Sequence, residues 1–139
     1  YAECGGMLIL GQTLSDLNGE AHKMAQLLPF HAKEGTLKVG YREMKPIKNS
    51  LITTKGDKLI GHEFHRWELS LTDQNRKEKR FIDRQEDTPT KISAIWEAKG
   101  WKINKKREGW GNDMIHASWI HLHWPSASGI IKKWYSAIK

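Results

Sequence analysis

Tyr1-Ala2-Glu3-Cys4-Gly5-Gly6-Met7-Leu8-Ile9-Leu10 opens the chain, and the reading of this stretch decides the fold. Three residues that can finish a strand meet two glycines and then an apolar run. That is the pattern of a strand end, a tight turn and a helix. The helix is expected over Met7 to Leu14, with Asp16, Asn18 and Gly19 bringing it to an end. A nucleophile at such an elbow needs small neighbours, because the turn is strained and a substrate must approach the backbone closely. The positive end of the helix favours thiolate over thiol. Backbone N–H groups just after the cysteine point at the same spot and can stabilise an oxyanion. Cys4 is therefore a candidate nucleophile, with Gly5 and Gly6 as candidate oxyanion and substrate contacts. A lone cysteine equally fits a small buried core residue, and the residues by themselves leave both readings open.

Working outward, Met24 to Leu28 is a short apolar run closed by Pro29. Thr36 to Arg42 alternates roughly with period two, and Ser50 to Thr54, Lys58 to Ile60 and Glu63 to Leu71 continue with β character. The segment at about 72–90 holds five acidic and five basic residues and reads as a solvated charged loop or insertion. Lys91 to Ala98 and Asp113 to Trp119 read as strands. Pro125 then opens an amphipathic C-terminal helix whose apolar positions are Ile130, Ile131, Trp134, Tyr135 and Ile138. Helical ends around a β-rich middle predict an α/β fold with an incomplete sheet.

The chain has 139 residues, a length that suits one domain. No run approaches the ~20 apolar residues of a spanning helix, and no basic-then-apolar leader is visible. A Tyr at position 1 is expected of a chain that is processed, trimmed or part of something longer. One cysteine excludes an internal disulfide and a multi-cysteine zinc site, and it suits a reducing compartment. The net charge is +7, with nine bases against eight acids up to Leu69 and fourteen against eight beyond it. A basic half beside seven tryptophans admits nucleic acid, an anionic small molecule or plain solubility. The tryptophans are spread along the whole chain rather than interleaved with the bases. Nucleic acid is therefore not the expected partner, nor is a membrane.

Two further constellations carry chemistry. In His116-Ala117-Ser118-Trp119-Ile120-His121-Leu122-His123-Trp124, a strand would put His121 and His123 on one face at a sheet edge. Histidines just past strand ends are where open α/β sheets keep catalytic groups. Gly61-His62-Glu63-Phe64-His65 has its histidines three apart, not the four a zinc-protease helix needs. His62, His65, His121 and His123 supply no thiolate cluster and no extra spaced carboxylates, so no metal is expected.

Taken in order, Ala2-Glu3-Cys4-Gly5-Gly6, Gly40-Tyr41-Arg42-Glu43, Gly61-His62-Glu63-Phe64-His65 and Ala117-Ser118-Trp119-Ile120-His121-Leu122-His123 resemble the glutamine amidotransferase domain of the cobyrinate a,c-diamide synthase family. The resemblance runs from Tyr1 to the C-terminal helix. It implies a class I glutamine amidotransferase-like, flavodoxin-like open sheet with helices, N-terminally incomplete, over residues 1–139. It implies a cytoplasmic, glutamine-dependent carbon–nitrogen ligase of cobalamin biosynthesis. In that family an ATP- and Mg2+-dependent synthetase domain, absent from this chain, amidates a corrinoid precursor with ammonia released from glutamine. No cofactor is expected in the chain itself. Cys4 matches the family nucleophile and His121 its histidine. A Glu two residues after that histidine orients the ring in typical class I enzymes; His123 stands there. A Cys–His dyad is implied, with Glu63 and His123 as candidates to orient His121 and His62 and His65 as supporting candidates. Other readings are a relative acting on another tetrapyrrole, such as a nickel-containing one, and a catalytically silent binding or regulatory module.

Overall fold

In a computed structural model of the chain, residues 1–71 and 92–139 are described. The charged segment expected at about 72–90 lies outside them. Strand β1 (Ala2–Glu3) leads through Cys4 into helix α1 (Gly5–Ile9), and β2 (Thr13–Ser15) and β3 (Ala21–Lys23) follow. The long strands are β4 (His31–Pro46) and β5 (Leu59–Ser70), followed by β6 (Trp96–Gly100) and β7 (Ile103–Glu108). Short strands β8 (Trp110–Gly111), β9 (His116–Ser118) and β10 (Ile120–Leu122) precede a 3-10 turn (Trp124–Ser126) and helix α2 (Ser128–Ala137).

The strands form two sheets. The smaller has the order β1-β9-β8, with β1 and β9 parallel. The larger runs β10-β5-β4-β2-β3, with β6 paired to the C-terminal end of β4 and β7 to β6. The larger sheet is mixed, with β2 parallel to β4, and curls into a half-barrel with few helices, and the α/β expectation stands.

Several expected elements differ in extent. Helix α1 stops at Ile9 rather than Leu14 because the chain is drawn onto the next loop. Gln12 N–H donates to Phe30 O at 2.7 Å, and a side chain at Gly11 would collide with the Phe30 ring. The run Met24 to Leu28 is irregular, with Gln26 at φ 58°, and fastens to residues 9–12 through backbone bonds such as Leu28 N–H to Leu10 O at 2.7 Å. Ser50 to Thr54 is a turn rather than a strand: Ser50 N–H donates to Thr53 O at 3.0 Å, and their hydroxyls meet at 2.7 Å. Lys58 to Ile60 and Glu63 to Leu71 merge into the single strand β5, whose alternation of buried and exposed residues shows one face turned inward. Pro125 sits in the 3-10 turn, and of the apolar positions named for the last helix only Ile130 is fully buried, while Trp134 packs on the core.

Two apolar clusters hold the molecule. One gathers Met7, Leu8, Leu28, Phe30, Trp110, Ala117 and Trp119; the other gathers Met44, Ile52, Ile95, Trp96, Ile120, Leu122 and Ile130. The boundary between them falls between Trp119 and Ile120. The same place is the boundary between sheets, since Trp119 alone separates β9 from β10. A backbone that changes sheets loses ladder partners, and buried N–H groups must then bond elsewhere. Fully buried Glu108 supplies the bond: Trp119 N–H donates to its Oε1 at 2.9 Å, and Ser118 Oγ and Trp96 Nε1 donate to its Oε2 at 2.7 and 2.5 Å. Ile120 N–H donates in turn to Ser118 Oγ at 2.9 Å. Burial pushes the Glu108 carboxyl upward, and these three donors, with Lys106, pull the other way.

Candidate active site

Cys4 occupies the elbow between β1 and α1 with φ 48° and ψ −115°, a left-handed conformation that side chains rarely adopt. Its N–H donates to Ser118 O at 2.8 Å, which continues the β1–β9 pairing and fixes the elbow against the crossing strand. The residue is half-buried, with Gly5 and Gly6 exposed beside it, and a side chain at Gly5 would meet nothing within 4 Å. Cys4 thus packs on the edge of the Met7–Trp119 cluster and has open space beside it at Gly5.

The thiol Sγ donates to Phe64 O at 3.5 Å. Among the described residues no hydrogen bond joins it to His121. Burial pushes the Cys4 thiol up, the Gly5 N–H opposes this, and the Glu3 charge adds to it. This differs from the expectation of a thiolate favoured by the helix N-terminus. Helix α1 has only five residues, and a carboxylate stands immediately before the sulfur.

His121 lies at the middle of β10, directly opposite His62 of β5. Directly opposed residues of an antiparallel pair share a face. Tyr41 opposes His62 and Val39 opposes Phe64, so Val39, Tyr41, His62, Phe64 and His121 share the outward face. Tyr41, Phe64 and His121 are exposed there, and the His62 ring contacts both Tyr41 and Phe64. The inward face carries Glu63 and His65. The Gly61–His65 motif is therefore split by its own periodicity: His62 and Phe64 border the Cys4–His121 side, and Glu63 and His65 lie beneath it.

What meets the His121 ring is Glu3. Its Oε2 stands 3.3 Å from His121 Nδ1, and its Oε1 accepts Leu122 N–H at 3.0 Å and the Tyr1 hydroxyl. The contact is at ion-pair distance and lacks the alignment of a hydrogen bond; a carboxylate on that side of the ring favours the proton on Nδ1 and an unprotonated Nε2. Glu63, a candidate for the same task, is instead fully buried, bonded by Arg42 Nε at 2.6 Å, His65 Nε2 at 3.1 Å and Lys106 Nζ at 3.2 Å. Burial would raise its carboxyl, but His65, Lys106 and Arg42 outweigh it and hold the group well below the usual carboxylate range. His65 also stacks on Trp119 with ring centroids 3.8 Å apart. His123, the other candidate, turns away: its Nδ1 meets Ser126 Oγ at 3.1 Å in the 3-10 turn. Glu3 stands inside the quoted Ala2–Gly6 motif. The signal that could have found it is its place beside Cys4, on a strand parallel to the one that leads to His121.

Among the described residues His62, His65, His121 and His123 do not gather around a common point, and the one group of three spaced for a metal ion is Asp16, Glu20 and His22, none of them a residue of the Cys4–His121 region. No helix there is long and apolar enough to cross a membrane.

Comparison with known proteins adds to this geometry. Residues 1–128 match the CobB/CobQ-like glutamine amidotransferase domain. Cobyrinate a,c-diamide synthase of Salmonella typhimurium is 30% identical over 141 aligned residues, covering 100% of this chain and 28% of that protein. The synthase of the same name from Gloeobacter violaceus is 33% identical over 125 residues, covering 89% of this chain and 23% of its own length. Hydrogenobyrinate a,c-diamide synthase of Mycobacterium bovis is 27% identical over 134 residues, covering 96% and 24%. The chain spans about a quarter of the length of these relatives.

Proposed function

The chain belongs to the CobB/CobQ-like glutamine amidotransferase domain family, and from that premise we propose that it is the glutamine-hydrolysing part of an amide synthase, with Cys4 as nucleophile and His121 as base and acid. The observation that carries the reading is the strained backbone of Cys4, pinned to Ser118 at the end of β9, three residues before His121 in β10. Such strain is retained where function requires it.

Because burial and the Glu3 charge favour the protonated thiol, His121 Nε2 must take the proton as the sulfur attacks the side-chain carbonyl carbon of glutamine. The carbonyl electron pair moves to oxygen, and backbone N–H groups at Gly5 and Gly6 stabilise that charge. Collapse breaks the C–N bond as His121 returns the proton to nitrogen. Ammonia leaves, and a γ-glutamyl thioester remains on Cys4. Water then attacks, giving its proton to His121; the C–S bond breaks, glutamate departs, and the proton goes back to sulfur.

The whole protein, on this reading, passes the ammonia to an ATP- and Mg2+-dependent synthetase domain that amidates the a and c carboxylates of a corrinoid precursor in the cytoplasm. The names of the relatives favour cobyrinate or hydrogenobyrinate over a nickel-containing tetrapyrrole. One observation favours the second reading, a silent binding module: the thiol donates to Phe64 O rather than to His121. Labelling by a chloroketone analogue of glutamine decides between them. Fast modification of Cys4, slowed at least a hundredfold in His121→Ala, is expected. Labelling no faster than that of a free thiol would overturn the enzyme reading. In the full-length synthase, Cys4→Ser should abolish glutamine-dependent amidation and leave ammonia-dependent amidation intact.

A further inference from the structure

Glu3 immediately precedes Cys4, yet its carboxylate is committed to the strand of His121. One oxygen faces His121 Nδ1 at 3.3 Å; the other accepts the next backbone N–H, that of Leu122, at 3.0 Å, and the Tyr1 hydroxyl. The bond to Leu122 fixes where the carboxylate stands relative to the strand, so the oxygen left for the ring has a defined place. The position two residues after His121, His123, is occupied with Ser126. Glu63 is enclosed by Arg42, His65 and Lys106. Among the described residues Glu3 is the one carboxylate at the His121 ring.

We infer that Glu3 is the positioning residue of the site: it holds the neutral His121 ring with its proton on Nδ1, keeps Nε2 free to take the Cys4 proton, and stabilises the imidazolium that results. The same charge acts against the neighbouring thiolate. Glu3 thus favours an uncharged resting pair and supports charge on the imidazole only once the proton has moved. This rests on the assignment of Cys4 and His121 made above.

Glu3→Gln tests it. The side chain keeps its shape and one acceptor for Leu122 N–H and Tyr1, but it offers His121 Nδ1 an N–H donor in place of an acceptor. That favours the tautomer with the proton on Nε2, which cannot take a proton from sulfur. Three results are expected together. The kcat of glutamine hydrolysis falls by about 10²–10⁴, the size of loss associated with a wrong tautomer in such sites, while KM moves less than threefold. The ¹⁵N NMR pattern of His121 changes from Nδ1–H to Nε2–H. Alkylation of Cys4 by iodoacetamide shifts to lower pH, because the neighbouring negative charge is gone. A residue that served structure alone would not change the tautomer or ease thiol ionisation. Glu3→Asp, which keeps the charge, should retain the Nδ1–H tautomer and recover part of the kcat.

An unchanged tautomer in Glu3→Gln, or a kcat within threefold of the parent, overturns the inference and leaves Cys4 and His121 standing. Glutamine hydrolysis that survives in Cys4→Ser overturns the assignment itself, and does so whatever tautomer His121 shows.

Discussion

Two carboxylate–histidine pairs flank the Ser118–His121 crossing and differ in burial. Glu63 and His65 meet at 3.1 Å with side chains 0% and 1% exposed; Glu3 and His121 meet at 3.3 Å with side chains 19% and 46% exposed. In the first pair both ring nitrogens are occupied, since Trp67 N–H donates to His65 Nδ1 and His65 Nε2 donates to Glu63. In the second, Nε2 has no hydrogen-bond partner among the described residues. The first pair is a buried hydrogen bond with both ring nitrogens taken, and the second is a part-exposed ion-pair contact, which is what suits the one to a strut and, on the proposed reading, the other to chemistry. The four-residue crossing Ser118–His121 links them: Trp119 stacks on His65 at one side, and His121 faces Glu3 at the other.

Exchanging equivalent substitutions should break this symmetry most clearly. Glu63→Gln removes the anion that Arg42 and Lys106 both address, leaving buried positive charge without its partner. A loss of about 3–5 kcal/mol in urea unfolding is expected, whereas Glu3→Gln should leave the urea midpoint close to the parent's. Equal losses in the two variants would show that the pairs do not differ as described. Next in size, Glu108→Gln sets an amide N–H₂ among the three donors that converge there, so at least one is left unmatched. It should cost about 1–3 kcal/mol, and chloroketone labelling of Cys4 should slow with it, because the crossing carries both Ser118 and His121. Unchanged labelling would mean that the crossing does not need Glu108.

Acid sharpens the contrast with the smallest effect. His116 is fully buried, stacked on Tyr1, and neither ring nitrogen has a hydrogen-bond partner among the described residues. Burial lowers its pKa from 6.5 to about 3. A base with a depressed native value binds its proton more readily once unfolded, so stability falls as pH drops from 6.5 toward 3. Glu63 acts lower down: its contribution is complete above its ordinary value of 4.5 and fades as pH falls below that. The urea midpoint of His116→Leu should therefore change less between pH 7 and pH 4.5 than the parent's. An identical change would remove His116 from the account.

Much of this was legible in the sequence and some was not, for physical reasons. The elbow could be read because Gly5-Gly6 before an apolar run is local information. That His121 lies on a strand could be read because strand alternation is also local. The split of Gly61–His65 follows from period two once the segment is known to be a strand, yet the motif as a string hides it. Glu3 was hidden more deeply: its role depends on a parallel pairing between residues more than a hundred positions apart. The upward shift of the Cys4 thiol escaped for a related reason, since helix length and burial decide it rather than residue order. The expected helix to Leu14 failed because Phe30 and Leu28, distant in sequence, claim the backbone of residues 10–12.

Trp119 is a single step between two sheets and two cores. A hinge of one residue has no slack to absorb an extra one. Loops elsewhere can lengthen or shorten over evolutionary time, but an insertion here would turn His121 to the opposite face and bury the imidazole beside Glu63. The spacing from Ser118 to His121 should therefore tolerate changes of residue type far better than changes of length.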